Sequence, residues 1–66
     1  MHEEALRRVK LSIERQMSGD FANAFDYSEE MEIKIIMGSA VVCTVSGVFA
    51  IDEAGNAAAF DRRKLH

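Results

Sequence analysis

The chain of 66 residues contains no proline, no tryptophan and a single cysteine. One cysteine cannot form an internal disulfide, and no group of residues has the spacing of a metal site. No apolar run is long enough to cross a membrane, and no signal-peptide pattern opens the chain. The sequence therefore predicts a cytoplasmic protein that has no cofactor, no metal and no membrane association.

Positive charge is also scarce. The net charge is -3, and the segment from Gln16 to Phe60 carries seven acidic residues but only one basic residue, Lys34. A protein that binds nucleic acid usually presents a basic surface to the phosphates. This charge balance argues against nucleic acid as the main partner.

The short length limits the core that the chain can build. Residues 1–66 form a single domain without a visible linker, and 48% of them are hydrophobic. A chain of this size buries only about 60% of the surface that its unfolded state exposes. Association with another chain would bury more, so we expect a homo-oligomer.

Residues 3–18 are predicted to form a long amphipathic helix that ends at Gly19. Its apolar residues recur at helical spacing and form one stripe, namely Leu6, Val9, Ile13 and Met17. Leu11 points nearly opposite this stripe. It is either a lone exposed leucine or part of a second contact surface.

Residues 20–30 fit two patterns. Phe21, Ala24 and Phe25 share one face of a helix, whereas Phe21, Phe25 and Tyr27 would alternate as a strand. Alanine is frequent in this segment and β-branched residues are absent. This composition favours a short second helix.

From Met31 onward the hydrophobic period changes to two. Strands are predicted at residues 31–37, 40–51 and 57–60, with turns at Gly38-Ser39 and at residues 52–56. A two-residue loop at the first turn would leave apolar side chains on both faces of the sheet, and a three-residue loop with a bulge would gather most of them on one. The fold class is thus predicted as α+β, with a long N-terminal helix, a short second helix and a three-stranded antiparallel meander.

Two stretches resemble a known family. Residues 18–25, Ser-Gly-Asp-Phe-Ala-Asn-Ala-Phe, are similar to the link between the first two helices of nuclear transport factor 2-like proteins. Residues 47–60, with Gly47-Val48-Phe49, Gly55 and Phe60, resemble the last hairpin of the limonene-1,2-epoxide hydrolase and polyketide cyclase branches. The resemblance implies a shortened domain of this type, because family members are about twice as long.

The chemistry of that family is not carried over. The resemblance places an acidic residue after an aromatic–arginine pair, but here Phe60 is followed by Asp61 and then Arg62. No residue is therefore predicted to be catalytic. An enzyme of the hydrolase or cyclase type, using Asp61 or Asp26 in a pocket completed by a second subunit, stays as the alternative hypothesis.

The sequence favours a non-catalytic interaction protein that dimerises through its sheet. Its partner would be a second copy, another protein or a small apolar ligand, since apolar side chains on both sheet faces exceed what one helix layer covers. The residues predicted to form the interface or ligand site are Leu11, Ile36, Val42, Val48 and Phe60.

Overall fold

The computed structural model describes residues 3–19 and 25–65. Helix α1 is followed by four strands, β1 to β4, and a short 3₁₀ helix closes the described chain. Their bounds are Glu3–Met17 for α1, Glu32–Ile36 for β1, Ser39–Cys43 for β2, Val48–Ile51 for β3, Ala57–Ala59 for β4 and Arg62–Leu65 for the 3₁₀ helix. The strands within the described ranges form one antiparallel sheet in the order β1-β2-β3-β4.

The predicted α+β class and the long N-terminal helix are confirmed. The predicted count of three strands is wrong, because the run from residue 40 to 51 is divided by a tight turn. Thr44 and Gly47 exchange backbone hydrogen bonds across this turn, and the Thr44 hydroxyl donates to the Gly47 carbonyl at 3.0 Å. Val45 continues the apolar alternation in the sequence, but in the turn its side chain is 88% exposed.

The second helix is not present in the described part of residues 20–30. Residues 20–24 lie outside the described ranges, and residues 25–30 are irregular with a turn at Tyr27 and Ser28. The Asp26 carboxylate accepts a hydrogen bond from the Ser28 backbone N–H at 2.9 Å. This local bond offers the backbone an alternative to the helix. Phe25 is nevertheless buried, with its ring centroid 6.1 Å from that of Phe49.

The β1–β2 hairpin uses Met37-Gly38 as its turn, one residue earlier than predicted. Both residues have positive φ angles, 51° and 79°, as a type I′ turn requires. The register pairs Ile33 with Val42 and Ile35 with Ala40. Apolar side chains therefore occupy both faces of the sheet, as a two-residue loop predicts.

The core lies between α1 and one sheet face. Its buried residues come from the helix, the Phe25 segment and strands β2 to β4: Ala5, Val9, Phe25, Ala40, Val42, Ile51 and Ala57. The helix also buries Ser12 and Gln16. Its buried face is thus centred on residues 5, 9, 12 and 16, and of the predicted apolar stripe only Val9 is fully buried.

Candidate functional site

An open apolar groove runs between α1 and strand β1. It has a volume of about 560 Å³, and its lining residues are Leu6, Val9, Lys10, Ile13, Glu14, Met17, Met31 and Ile33. Leu6 is 52% exposed and Met17 is 69% exposed. The predicted apolar stripe of the helix therefore forms a wall of a solvent-accessible groove instead of the centre of the core.

The opposite side of α1 is fixed to the turn between β3 and β4. Arg15 donates from Nη1 to the Ala54 carbonyl at 2.8 Å and to Asn56 Oδ1 at 2.6 Å. Gly55 lies so close to the helix that a Cβ added to it would be 3.0 Å from Leu11 Cγ and 3.0 Å from the backbone nitrogen of Ser12. These contacts fix one side of the helix to the β3–β4 turn, and the groove lies on its other side, beside β1.

Strand β1 borders the groove and is a terminal strand of the described sheet. Glu32 and Lys34 project from the face that does not carry the helix, with Lys34 Nζ 3.8 Å from Glu32 Oε1. Ile33, between them, projects towards the groove, and Ile35 on the same face is 44% exposed. An edge strand presents unpaired N–H and C=O groups, so β1 offers both backbone hydrogen bonds and apolar side chains.

The five residues predicted as an interface do not form one exposed surface. Val42 faces the helix, since it pairs with Ile33, and it is fully buried; Val48 is 5% exposed. Neither side chain is exposed to a partner in this arrangement. Leu11 is half-buried because it packs on the turn at Gly55, and Ile36 and Phe60 are half-buried as well.

The carboxylates of the enzyme hypothesis lie near solvent. Asp26 is exposed, and its pKa is lowered mainly by the hydrogen bond from the Ser28 side chain. The Asp61 side chain is 35% exposed and pairs with Arg63 at 3.0 Å, which lowers the pKa of Asp61. General acid–base catalysis at neutral pH needs a carboxyl with a raised pKa or a desolvated base, and neither group has that environment.

A second, more polar cleft of about 750 Å³ lies at the end of β1 and β2. Its lining includes Glu30, Glu32, Cys43, Thr44 and Arg62. Within the described ranges no group of three or more histidine, cysteine, aspartate or glutamate residues could hold a metal ion. In the same part of the chain, no helix has the length and apolar character needed to cross a membrane.

Comparison with models of protein families, with curated proteins and with solved structures gave no match. The resemblance to nuclear transport factor 2-like proteins therefore stays a prediction. Of the two stretches that suggested it, residues 47–60 contain the β3–β4 hairpin, while most of residues 18–25 lie outside the described ranges.

The groove is lined by the apolar stripe that the sequence identifies on the helix. A regular apolar stripe normally faces the core, whereas Leu6, Ile13 and Met17 face the groove. The sequence does hold a signal for the correct face. Ala5, Ser12 and Gln16 form a second line at helical spacing, and the small side chains of Ala5 and Ser12 allow a close approach of helix to sheet.

Proposed function

We infer that the protein is a non-catalytic interaction protein whose binding surface is the groove together with the outer edge of β1, with which no second strand pairs within the described ranges. The observation that carries this proposal is the exposure of Leu6 and Met17 at 52% and 69% beside Ile13 and Ile33. Contiguous exposed apolar patches on small proteins often mark interaction sites. A partner that covered the groove would complete the burial that this short chain lacks.

The geometry favours a protein partner over a small apolar ligand. Sites for small molecules usually enclose most of the ligand surface. This groove is open along the length of the helix, and it adjoins a strand edge to which another backbone can add. Dimerisation through the sheet is therefore part of the proposal, and a small apolar ligand is an outcome that the experiment below distinguishes.

The proposal includes the prediction of a shortened nuclear transport factor 2-like domain located in the cytoplasm. A helix packed on one face of an antiparallel meander supports the first part. The hydrolase or cyclase alternative receives no comparable support, because Asp26 and Asp61 are both accessible to solvent.

Two matched methionine variants test the binding surface. Met17 lines the groove and Met37 lies in the β1–β2 turn, and both are largely exposed, at 69% and 80%. Met17→Glu is expected to lower binding of the apolar dye 1-anilinonaphthalene-8-sulfonate, self-association, or both, because it places a charge in the apolar groove. Met37→Glu adds the same charge outside the groove and should leave both measurements near those of the wild type.

Dye fluorescence at low protein concentration and sedimentation at higher concentration give the two readouts, with circular dichroism to show that both variants are folded. Equal behaviour of the two variants in both assays would refute the groove as a binding surface. If the wild type does not self-associate and Met17→Glu loses only dye binding, the groove remains the binding surface. Its occupant is then another protein or a small apolar molecule.

A further inference from the structure

The geometry points to a second copy of this chain as the occupant, joined through antiparallel pairing of the two β1 strands about a two-fold axis at Ile33. This inference rests on the proposed function, since it uses the same groove and strand edge. In this register Glu32 of each copy lies opposite Lys34 of the other. The two sheets then become one continuous sheet with both helices on the same face.

Strand β1 is better suited to such pairing than the other edge. It has five residues, whereas β4 at the opposite edge of the described sheet has three. Pairing at β1 would also cover the groove, because Met31 and Ile33 line it.

The charges on β1 select the register. Directly opposite residues of an antiparallel pair have neighbouring side chains on the same face, and like charges in that position are destabilising. An axis at Glu32 or at Lys34 would place two like charges opposite each other. Charged residues on an edge strand normally discourage pairing, but the order Glu32, Ile33, Lys34 is complementary to itself when the axis passes through Ile33.

The groove side of the sheet is apolar in the same register. Ile33 lies opposite its own copy, and Met31 lies opposite Ile35, which is 44% exposed in the single chain. The groove walls of the two helices face each other across the axis. Lys10 and Glu14 lie on that wall and carry opposite charges, so antiparallel helices can also pair Lys10 of one copy with Glu14 of the other.

Charge reversal tests the register directly. Lys34→Glu or Glu32→Lys alone would set like charges opposite each other twice per dimer. Each is expected to raise the dissociation constant of the dimer by about tenfold or more, because two unfavourable cross-strand pairs replace two favourable ones. The double variant Glu32→Lys/Lys34→Glu restores both pairs with exchanged partners and should return the dissociation constant to near the wild-type value.

Sedimentation equilibrium of the full chain measures these constants, and circular dichroism shows that each variant retains the fold. A wild-type dimer that both single reversals weaken and the double reversal restores supports the inference. Failure of the double reversal to restore the dimer, in a folded protein, would overturn the register. A monomeric wild type whose dye binding still depends on Met17 but not on Met37 would overturn the second copy as occupant while leaving the proposed function intact.

Discussion

Replacement of Gly55 by alanine tests how α1 is held against the sheet. Gly55 has a φ angle of +83° in the turn between β3 and β4. An added Cβ would lie 3.0 Å from the Ser12 backbone nitrogen and 3.0 Å from Leu11 Cγ. Gly55→Ala therefore introduces two separate costs, one in the backbone of the turn and one in its contact with the helix.

Gly38 allows the two costs to be separated. Its φ angle is +79°, nearly the same as that of Gly55, but a Cβ added there would have no atom within 4 Å. The left-handed conformation costs an alanine about 1–2 kcal/mol at either position. Overpacking against the helix adds about 1–3 kcal/mol at Gly55 alone. The expected losses are thus about 1–2 kcal/mol for Gly38→Ala and about 2–5 kcal/mol for Gly55→Ala.

Urea denaturation monitored by circular dichroism measures both losses. A protein of this length has a free energy of unfolding of about 3–10 kcal/mol, so Gly38→Ala should remain folded and Gly55→Ala should be markedly less stable. If the Gly55 variant is largely unfolded in buffer while the Gly38 variant is folded, the ordering is still established. Equal losses at the two positions would show that α1 accommodates the added Cβ at no cost, and would refute the reasoning.

Two further predictions concern the turns. Met37 has a φ angle of 51° and is 80% exposed, so Met37→Asn should relieve backbone strain with little loss of packing. The replacement is expected to stabilise the chain by about 1 kcal/mol and to raise Tm by roughly 4–8 °C. An unchanged or lower Tm would contradict the assigned turn. The pKa of Asp52 is lowered mainly by hydrogen bonds from the Asn56 backbone and side chain. The stability that the ionised Asp52 adds to the fold is therefore present above the unfolded pKa, at about pH 4, and is lost as the pH falls through the folded pKa. The difference in unfolding free energy between the wild type and Asp52→Asn should therefore shrink on acidification, and a difference that is independent of pH would count against these bonds.

Periodicity predicted the elements of the sheet better than their limits. The change to a period of two at residue 31 located β1, and the glycine turn at Gly55 located the β3–β4 hairpin. The division of residues 40–51 was missed because Val45 preserves the apolar alternation through a turn in which it is 88% exposed. The turn residues that close it, Thr44 and Gly47, act through backbone and hydroxyl bonds that an apolar pattern does not register.

The candidate site was harder to predict, because it depends on the rotation of α1 about its own axis. The sequence identifies Leu6, Ile13 and Met17 as one stripe, and it does not state which way the stripe points. The small side chains of Ala5 and Ser12 are buried on the sheet side of α1, where they permit close contact with the sheet and leave the stripe facing the groove. The burial of the interface candidates Val42 and Val48 depends on the strand neighbours that each one receives, which the sequence alone does not give.

The width of the sheet explains why an apolar groove remains. Four strands about 4.8 Å apart are wider than the roughly 10 Å diameter of a helix, so α1 cannot cover the whole described sheet. Arg15 and the close approach at Gly55 fix one side of the helix to the turn between β3 and β4, while the helix itself lies over β2. The turn occupies one side of the helix, and the large side chains of the stripe lie on the other side, at the groove beside β1. The exposed side of the helix and the edge of β1 thus form one apolar surface, and the proposed pairing of Glu32 with Lys34 of a second copy would cover it.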